Sequence, residues 1–542
     1  MTDVQVTTPL RSLVDHDEHG CTVLSDGVSD YADGAEDIVT ALLENAQDRG
    51  SLSDELTLAA RTWPERYHLD HGRANVLRGL RLPAGAAVLE IGCGTGAVTR
   101  YLAECCASVD AVEPVPSRAR GARARTRGFG DVEVFVGGIE DVPAAEAYDV
   151  VVVVGVLEYV GAGAAADDSY LGFLRAAHDR LRPGGTLVLA IENQLGVKYL
   201  CGAAEDHTGI PWDGVAGYPA GGVARTFSRK RLLDLLSRAG FAGTTVLGAF
   251  PDYKLTRALL SDELLETQPR LATQLPGFPS PDWAGGGERV VDEERVWREL
   301  VDAGLAAHHS NSFLLLAAKG GAEGLWPAEA LAVFFSTDRA ADFCTRAFVE
   351  RDGDVLRVRR TPIAAHPAAA HGVRVVSTGD EVVDAPTVFE LAAADPARRI
   401  ELFARWRDLV VARAGELGSR LWDLTPRNLL VTPAGLVPID LEWSVDGCTA
   451  ADVLARGVLI TADELARGGH ASGPTVGDVV RDLCHRLELD EAEVLAATAV
   501  EARFQVVRQA GRCDAGYLAE RTAELHRAWT DRLAEPVAGL SS

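Results

Sequence analysis

The chain has 542 residues, with 53 Lys or Arg against 79 Asp or Glu and a formal net charge of −26 at pH 7. Its 47% hydrophobic and 24% charged residues are typical of folded globular proteins and exclude a chain that is disordered throughout. Nucleic-acid binding depends on Lys and Arg that neutralise phosphates, so the negative surplus predicts no nucleic-acid partner.

The basic residues are almost all arginine. Lysine occurs four times among the 53, at Lys198, Lys230, Lys254 and Lys319, which leaves 49 arginines. No lysine follows Lys319. This bias becomes chemically relevant if the second half of the chain holds a site that ordinarily needs a lysine.

Cysteine use and targeting signals predict the compartment. The nine cysteines form no C-x-x-C pair, which predicts neither a disulfide framework nor a zinc site. Met1–Leu10 lacks the basic and apolar segments of an export signal, and the longest apolar block, at 150–157, is far short of the ~20 residues that span a bilayer. We therefore expect a cytoplasmic protein with no membrane span.

Short apolar runs alternate with amphipathic stretches from residue 79 onward. This alternation predicts an α/β domain in which helices cover a parallel sheet, and the valine run at 150–154 is typical of a strand buried on both faces. The predicted strands are 87–91, 109–112, 132–136, 150–154 and 186–191, and the predicted helices between them are 96–105, 117–127 and 169–181.

Further elements extend this pattern to residue 319. We expect a long connection from 251 to about 309. The remaining predicted elements are a helix at 228–239, a strand at 244–249, helical segments at 256–265 and 293–303, and a strand at 312–318.

The two ends of this domain and the second half have different patterns. Residues 1–50 are polar and acidic, and they predict an N-terminal extension that either packs on the first domain or stays partly loose. Glycines in 320–327 predict a linker. A small β part followed by a larger helical part is predicted behind it, with strands at 330–335 and 346–358, a helix at 400–415, a β segment at 429–441 and helices within 476–534.

A glycine loop, Gly92, Gly94 and Gly96, follows the first predicted strand of the sheet and opens a helix. Glycines let the backbone turn tightly and let a ligand lie against main-chain N–H groups at the start of a helix. Glu113 ends the second strand, where a carboxylate can accept hydrogen bonds from the ribose of NAD or of S-adenosylmethionine. With Ala97 the loop also matches the dinucleotide pattern G-x-G-x-x-A, and a simple turn is the plain structural alternative.

Other residues in chain order favour one cofactor. They are Glu90 before the first glycine, Ile139 and Glu140 after the third strand, Gly155 and Leu157 in the loop after the fourth, and Leu181–Gly185 before the fifth. With the glycine loop, this set resembles class I S-adenosylmethionine-dependent methyltransferases over roughly 80–320. The resemblance implies an α/β, Rossmann-like methyltransferase domain over 51–319. It implies that S-adenosylmethionine is bound by Glu90, Gly92, Gly94, Gly96, Glu113, Ile139, Glu140, Gly155 and Leu157.

Methyl transfer to a hydroxyl needs alignment and a base that removes the proton. Candidate bases lie where predicted strands end: Glu158 after the fourth strand, Glu192 after the fifth, and His207 in the loop beyond. His207 is also compatible with a loop-organising hydrogen-bond partner, and Glu192 with Asn193 can cap a helix. The catalytic base stays open among Glu158, Glu192 and His207.

Several short segments of the sequence make the resemblance more specific. They are similar to methyltransferases of glycan and sugar metabolism, a group that includes enzymes with a kinase fused behind, such as the chain-terminating kinase-methyltransferases of polymannose O-antigens. The resemblance implies a sugar, glycan or glycosylated metabolite as the acceptor, methylated on a hydroxyl or phosphate oxygen. Tyr67, His68 and Arg73 either line the cofactor mouth or belong to a lid helix. The segments are 66–69, 191–199, 205–209, 225–228 and 251–255.

A third constellation lies in the second half. Asp423, Asn428 and Asp440 match the pattern D-x-x-x-x-N followed by a metal-binding aspartate, and the plain alternative is that this acidic spacing arises by chance. The set resembles the aminoglycoside-phosphotransferase and kinase superfamily and implies a smaller α+β kinase-like domain over 328–535. In such enzymes the first Asp accepts the proton of the hydroxyl nucleophile, which here is Asp423, and Asn428 and Asp440 hold Mg²⁺ on ATP.

The kinase-like half lacks the phosphate-binding lysine that this chemistry ordinarily uses. The predicted third strand offers Arg357, Arg359 and Arg360, with Arg359 as the predicted phosphate ligand. Arginine is not a conservative replacement at a packed ion pair. The domain is therefore either an active kinase that uses arginine and phosphorylates the acceptor, or a pseudokinase behind a monofunctional methyltransferase of a small secondary metabolite. A dehydrogenase is the third, more distant interpretation.

Overall fold

The computed structural model describes residues 8–25, 33–161, 167–285, 287–321, 324–470 and 473–537. The chain divides into two compact units, of which the first ends at Phe335 and the second begins at Ser336. The predicted linker, 320–327, lies before this division, and its residues 322 and 323 lie outside the described residues.

The first unit is built on a mixed sheet. Strands β1 to β6 pair in parallel, and the strands beyond them pair antiparallel. The order of the strands is β1-β4-β3-β2-β5-β6-β9-β7-β8-β10. The strands are β1 (Thr22–Val23), β2 (Ala87–Ile91), β3 (Ser108–Glu113), β4 (Val132–Val136), β5 (Tyr148–Val154), β6 (Leu181–Glu192), β7 (Gly243–Phe250), β8 (Ala258–Ser261), β9 (Ser312–Ala318) and β10 (Ala330–Ser336).

Helices cover this sheet and form the connections. The longer ones follow the strands, as expected for parallel pairing. They are α1 (Glu36–Asn45), α2 (Asp54–Ala59), α3 (Trp63–Leu69), α4 (Asn75–Arg78), α5 (Ala97–Cys105), α6 (Pro116–Thr126), α7 (Asp168–Arg180), α8 (Val197–Leu200), α9 (Arg229–Ala239), α10 (Asp262–Thr267), α11 (Pro269–Gln274), α12 (Glu293–Asp302) and α13 (Ala306–His309).

The parallel strands predicted from the sequence are confirmed, and their alignment creates one functional edge. Ile91 of β2 lies beside Val112 of β3 and Val153 of β5, so these strands end at the same level of the sheet. Val154 pairs in turn with Ala190 of β6. Because loops after parallel strands meet at the carboxyl edge, the residues that follow β2, β3, β5 and β6 are brought together.

The prediction of a helix over 256–265 is wrong in its first half. Residues 258–261 form β8, which pairs with β7 through Leu247 and Ser261 and with β10 through Leu259 and Val333. The spacing of the leucines is helical, but pairing on both edges outweighs this local preference. Only α10 remains helical in this segment.

The described part of residues 1–50 packs on the first unit. Strand β1 pairs with β4 through Thr22 and Phe135. Helix α1 buries Val39 and Leu43 in a small apolar cluster with Ala124 of α6. Of the two alternatives predicted for the N-terminal extension, the described part thus matches the one in which it packs on the first domain.

The second unit combines short antiparallel strands with long helices. The strand structure predicted over 346–358 is confirmed as the antiparallel pair of β11 and β12, and the predicted C-terminal helices are confirmed as well. Its elements are β11 (Thr345–Asp352), β12 (Val355–Pro362), β13 (Val373–Val375), β14 (Thr378–Glu381), α14 (Val388–Ala394), α15 (Arg399–Leu417), β15 (Leu429–Thr432), β16 (Gly435–Pro438), β17 (Trp443–Val445), α16 (Ala450–Arg467), α17 (Val476–Leu487), α18 (Glu491–Ala510) and α19 (Ala515–Leu533).

Among the helices that the structure describes, none is both long and apolar enough to cross a bilayer.

Candidate active site

The glycine loop leaves β2 and enters α5 with a backbone that only glycine accommodates easily. Gly94 and Gly96 have φ angles of +55° and +79°. A Cβ atom at Gly96 would lie 2.8 Å from Cα of Ala122, whereas a Cβ at Gly94 would meet no atom within 4 Å. Gly96 therefore permits close helix packing, and Gly94 borders open space that a ligand can enter.

This contrast predicts different effects of two alanine substitutions. Both Gly94→Ala and Gly96→Ala force an L-residue into the left-handed region, which costs about 1–2 kcal/mol. Gly96→Ala adds an overlap with Ala122, which costs a further ~1–3 kcal/mol, so its loss of unfolding free energy should be the larger. Urea denaturation of both variants measures the two losses of unfolding free energy. Equal losses would contradict the conclusion that Gly96, and not Gly94, is needed for close packing.

Glu113 holds the glycine loop from the end of β3. Its two carboxylate oxygens accept hydrogen bonds from the N–H groups of Gly94, at 2.8 Å, and of Val115, at 3.0 Å. Burial raises the pKa of Glu113 above its usual range. Each oxygen keeps a second lone pair, so the carboxylate can still accept a ribose hydroxyl.

Glu90 is buried at the end of β2. Burial raises the pKa of its carboxyl to about 8. Its Oε2 has no hydrogen-bond partner among the described residues. A buried polar atom without a partner is costly, and this atom fits a bound ligand that supplies a donor.

The loops after β4 and β5 complete the predicted cofactor set. Ile139 and Leu157 are buried, whereas Glu140 is exposed. The N–H of Gly138 donates to Asp141, 2.8 Å away, so Asp141 closes the turn and Glu140 is the carboxylate that remains available there.

A chain of polar contacts that the sequence did not reveal joins the N-terminal segment to the glycine loop. His68 of α3 contacts Thr95 through Nδ1, at 3.0 Å, and Asp33 through Nε2, at 2.8 Å. Arg118 donates to Asp33, also at 2.8 Å. Burial opposes the ionisation of Asp33, but the hydrogen bond and charge of His68, the N–H of Ala35 and the charge of Arg118 together outweigh burial and lower the pKa of Asp33 to about 2.

Arg73 and Tyr67 make further contacts in this region. The guanidinium of Arg73 stacks 4.2 Å from the centre of the Tyr67 ring and donates to the backbone oxygen of Lys254, at 2.5 Å. Arg73 therefore links residues near the start of the domain to the segment 251–255.

The three candidate bases form one buried cluster. Glu158 follows β5, Glu192 ends β6, and His207 lies in the loop after α8. One ligand-type atom of each lies within 4.8 Å of the others. Both glutamates are 0% exposed, and Oε2 of each has no hydrogen-bond partner among the described residues. We name Glu158, Glu192 and His207 the acceptor cluster.

His207 is oriented by the carboxylate of Glu205. Its Nδ1 lies 2.9 Å from Glu205, which also accepts the backbone N–H groups of His207 and Thr208. Its Nε2 lies 3.9 Å from Glu192. Burial disfavours the imidazolium, but the carboxylates of Glu192 and Glu205 outweigh burial and raise the pKa of His207 to about 9.

Two of the four lysines lie at this cluster, and the sequence analysis missed their role. The ammonium group of Lys254 contacts Glu192 and donates to Asp206 at 2.6 Å. Lys198 donates to both oxygens of Asp206, at 3.1 and 3.0 Å. Both lysine side chains are at most 11% exposed. The scarcity of lysine in the chain was the signal that could have drawn attention to them.

The acceptor cluster lies next to the glycine loop. A Cβ at Gly92 would overlap Val156, so the loop after β2 touches the loop after β5. A Cβ at Gly155 would lie 2.5 Å from the hydroxyl oxygen of Tyr253, and that hydroxyl donates to Glu158 at 3.4 Å. Burial, followed by the charge of Glu192, raises the pKa of Glu158 to about 8.

The second unit brings together two of its predicted residues. Asn428 donates its side-chain N–H to the backbone oxygen of Asp423, at 3.0 Å, and Asp423 accepts the N–H of Trp443, at 2.6 Å. Burial raises the pKa of Asp423 to about 8. Asp440 has a φ of +56°, and its N–H donates to Asp380 at 2.9 Å.

Of the three candidate arginines, Arg360 is the one that contacts Asp440. Arg360 donates to Asp440 at 2.8 Å and lies 3.4 Å from Glu442. Arg359, the predicted phosphate ligand, is half exposed and pairs with Glu350. Successive side chains of a strand point to opposite faces, so only one of these neighbours can face Asp440.

The family model of a methyltransferase domain matches residues 66–246, which include the glycine loop and the acceptor cluster. Residues 66–246 form a methyltransferase domain. Curated relatives include the ubiquinone biosynthesis O-methyltransferases of Xanthomonas axonopodis pv. citri (strain 306), 34% identical over 115 residues, and of Methylobacterium sp. (strain 4-46), 34% identical over 113 residues. These matches cover 21% and 20% of this chain and 45% and 43% of the relatives. The chain thus spans less than half the length of the curated relatives it matches.

Solved methyltransferase structures are also similar. Haemonchus contortus phosphoethanolamine N-methyltransferase 2, in complex with S-adenosyl-L-methionine, is 14% identical, with a TM-score of 0.29 and 46% of this chain and 52% of that chain covered. A SAM-dependent methyltransferase from Thermotoga maritima is 18% identical, with a TM-score of 0.27 and 46% and 88% covered.

Proposed function

We propose that this chain is an S-adenosylmethionine-dependent O-methyltransferase. The observation that carries the proposal is that the glycine loop, held by Glu113, lies directly beside a buried cluster of two carboxylates and an imidazole. The curated relatives, which are named as O-methyltransferases, support an oxygen as the methylated atom.

The residues of the first unit fit this cofactor. Glu113 has lone pairs for the ribose hydroxyls, Gly94 borders open space, and Glu90 has a buried oxygen without a partner that suits an ammonium group. Glu140 and Ile139 are available for the adenine. When bound, S-adenosylmethionine supplies an electrophilic methyl group.

The acceptor cluster would receive the hydroxyl that is methylated. Methyl transfer would form a bond from the acceptor oxygen to the methyl carbon and break the methyl–sulfur bond, and the hydroxyl proton would pass to one of Glu158, Glu192 and His207 in its unprotonated form. Buried charged groups favour an acceptor rich in hydrogen-bonding groups. We propose a sugar, glycan or similarly hydroxylated small molecule.

Calorimetry with S-adenosylhomocysteine and with NAD tests the cofactor. We expect binding of the former and none of the latter. Transfer of a radiolabelled methyl group to a panel of saccharides and phenols then tests the acceptor class. Binding of NAD alone would make the chain a dehydrogenase and overturn the proposal, and labelling of phenols only would overturn the sugar acceptor.

A second candidate function belongs to the second unit. We propose phosphotransfer in which Asp423 acts as base, Asn428 and Asp440 hold Mg²⁺ on ATP, and Arg360 takes the role of the usual lysine. The supporting observation is that Arg360 reaches Asp440 while Asn428 braces Asp423.

Phosphotransfer is tested by incubating the chain with radiolabelled ATP, Mg²⁺ and acceptors of the class that the first unit is proposed to methylate. Asp423→Asn should abolish phosphate transfer and leave methyl transfer intact, whereas Asp446→Asn, at an exposed position, should leave both unchanged. If the wild-type chain binds no nucleotide, the second unit is a silent binding module instead.

A further inference from the structure

We propose that Glu158, Glu192 and His207 bind a divalent first-row transition-metal cation at the acceptor site. This inference rests on the proposed function, because the cation would contact the acceptor oxygen. One nitrogen and two carboxylate oxygens form a ligand set that suits cations from Mn²⁺ to Zn²⁺.

The geometry of the acceptor cluster is close to that of a metal site. Its three ligand-type atoms come from the end of β5, the end of β6 and the loop after α8, and they lie within 4.8 Å of one another. Ligands bound at about 2.0–2.2 Å lie roughly 3–4 Å apart around one cation. A small contraction of side-chain positions is therefore enough to bring all three into coordination.

His207 is presented as a metal-binding histidine is. Ligating histidines usually donate the other ring N–H to a carboxylate, which fixes the tautomer and the orientation of the ring. Here Nδ1 is engaged by Glu205, and Nε2 is the nitrogen that lies near Glu192. Glu205 itself is held by backbone N–H groups, so the imidazole has a rigid support.

Independent support comes from atoms that lack partners. Oε2 of Glu158 and Oε2 of Glu192 are buried without a hydrogen bond among the described residues, although both side chains are fully enclosed. Buried carboxylate oxygens are normally paired or bound to a metal. A cation between them would satisfy both atoms at once.

The lysines leave the second oxygen of each glutamate unused. Lys198 and Lys254 share Asp206, and Lys254 uses only Oε1 of Glu192. Oε2 of Glu192 and Oε2 of Glu158 therefore stay available, and a cation that binds them would displace the proton from Nε2 of His207.

A cation bound at the acceptor cluster would assist the proposed methyl transfer. A metal ion lowers the pKa of an oxygen ligand, so an acceptor hydroxyl bound to it would ionise more readily. It would also orient that hydroxyl toward the adjoining cofactor loop.

Uptake of Mn²⁺ by the full chain tests the proposal without reference to activity. Chelator-treated protein is titrated with MnCl₂, and free Mn²⁺ is followed by its electron paramagnetic resonance signal. We expect one equivalent of Mn²⁺ to bind in the absence of nucleotide. Glu192→Gln should weaken this binding by at least about tenfold, because it removes one anionic ligand.

Two control variants locate the ion. Glu294→Gln removes an exposed acid of α12 and should leave Mn²⁺ uptake unchanged. Asp440→Asn removes the proposed metal ligand of the second unit and should also leave it unchanged; loss of uptake in this variant would place the ion there and overturn the inference. Should Glu192→Gln fail to fold, the wild-type melting temperature still rises with Mn²⁺ if the site exists.

The outcomes separate this inference from the proposed function. No Mn²⁺ uptake by wild type, or unchanged uptake in a folded Glu192→Gln variant, overturns the cation site. S-adenosylhomocysteine binding is measured in the same samples by calorimetry. Failure of that binding overturns the proposed function, whatever the Mn²⁺ result.

Discussion

Replacing Lys254 by methionine should lower the free energy of unfolding by about 3–5 kcal/mol, because it removes the ammonium partner of the buried Glu192 and leaves Asp206 with Lys198 alone. Methionine keeps most of the length of the side chain, so the loss reports the ammonium group rather than a cavity. Urea denaturation checks the value, with Lys230→Met on the exposed face of α9 as the matched control.

Lys254→Arg tests whether the size and shape of the side chain matter in addition to its charge. The chain uses 49 arginines and four lysines, yet it has lysine here. A guanidinium is larger and forked, so at this closed position it would overpack the cluster and cost about 1–3 kcal/mol even though the charge is kept. If Lys254→Met or Lys254→Arg is as stable as its Lys230 counterpart, the buried lysine has no special role.

The sheet and the cofactor loop were predictable because their signals are local. The valine run of β5 predicts a buried strand wherever it lies in the chain, and Gly94, Gly96 and Glu113 follow strands at positions set by a few residues of sequence. Parallel pairing then brings the ends of these strands to one edge without further information. The same reasoning placed Glu158 and Glu192 correctly after β5 and β6.

What the sequence could not show depends on residues that are far apart in the chain. Lys254 reaches Glu192 across 62 positions, and His68 reaches Asp33 across 35. Such pairs are determined by packing and not by spacing. The sequence did not distinguish Arg360, which contacts Asp440, from Arg359 for a different reason: a shift of one residue in a strand reverses the face, and the sequence pattern does not define β12 to that accuracy.

Glu192→Gln should reduce the rate of methyl transfer by about 10²- to 10⁴-fold while the affinity for S-adenosylhomocysteine stays within about twofold of the wild-type value. Glutamine preserves the size of the side chain, but it can neither accept the acceptor proton nor contribute an anionic ligand to a cation. The loss is therefore expected whether Glu192 acts as base or as metal ligand.

Kinetics and calorimetry on the same preparation distinguish this effect from a folding defect. Asp234→Asn, which alters an exposed carboxylate of α9, is the matched control and should transfer methyl groups at the wild-type rate. A fall in cofactor affinity that parallels the fall in rate would mean that Glu192 acts on the cofactor loop. Unchanged rates would remove the acceptor cluster from the reaction, because Glu192 lies between His207 and Lys254 and links the groups around it.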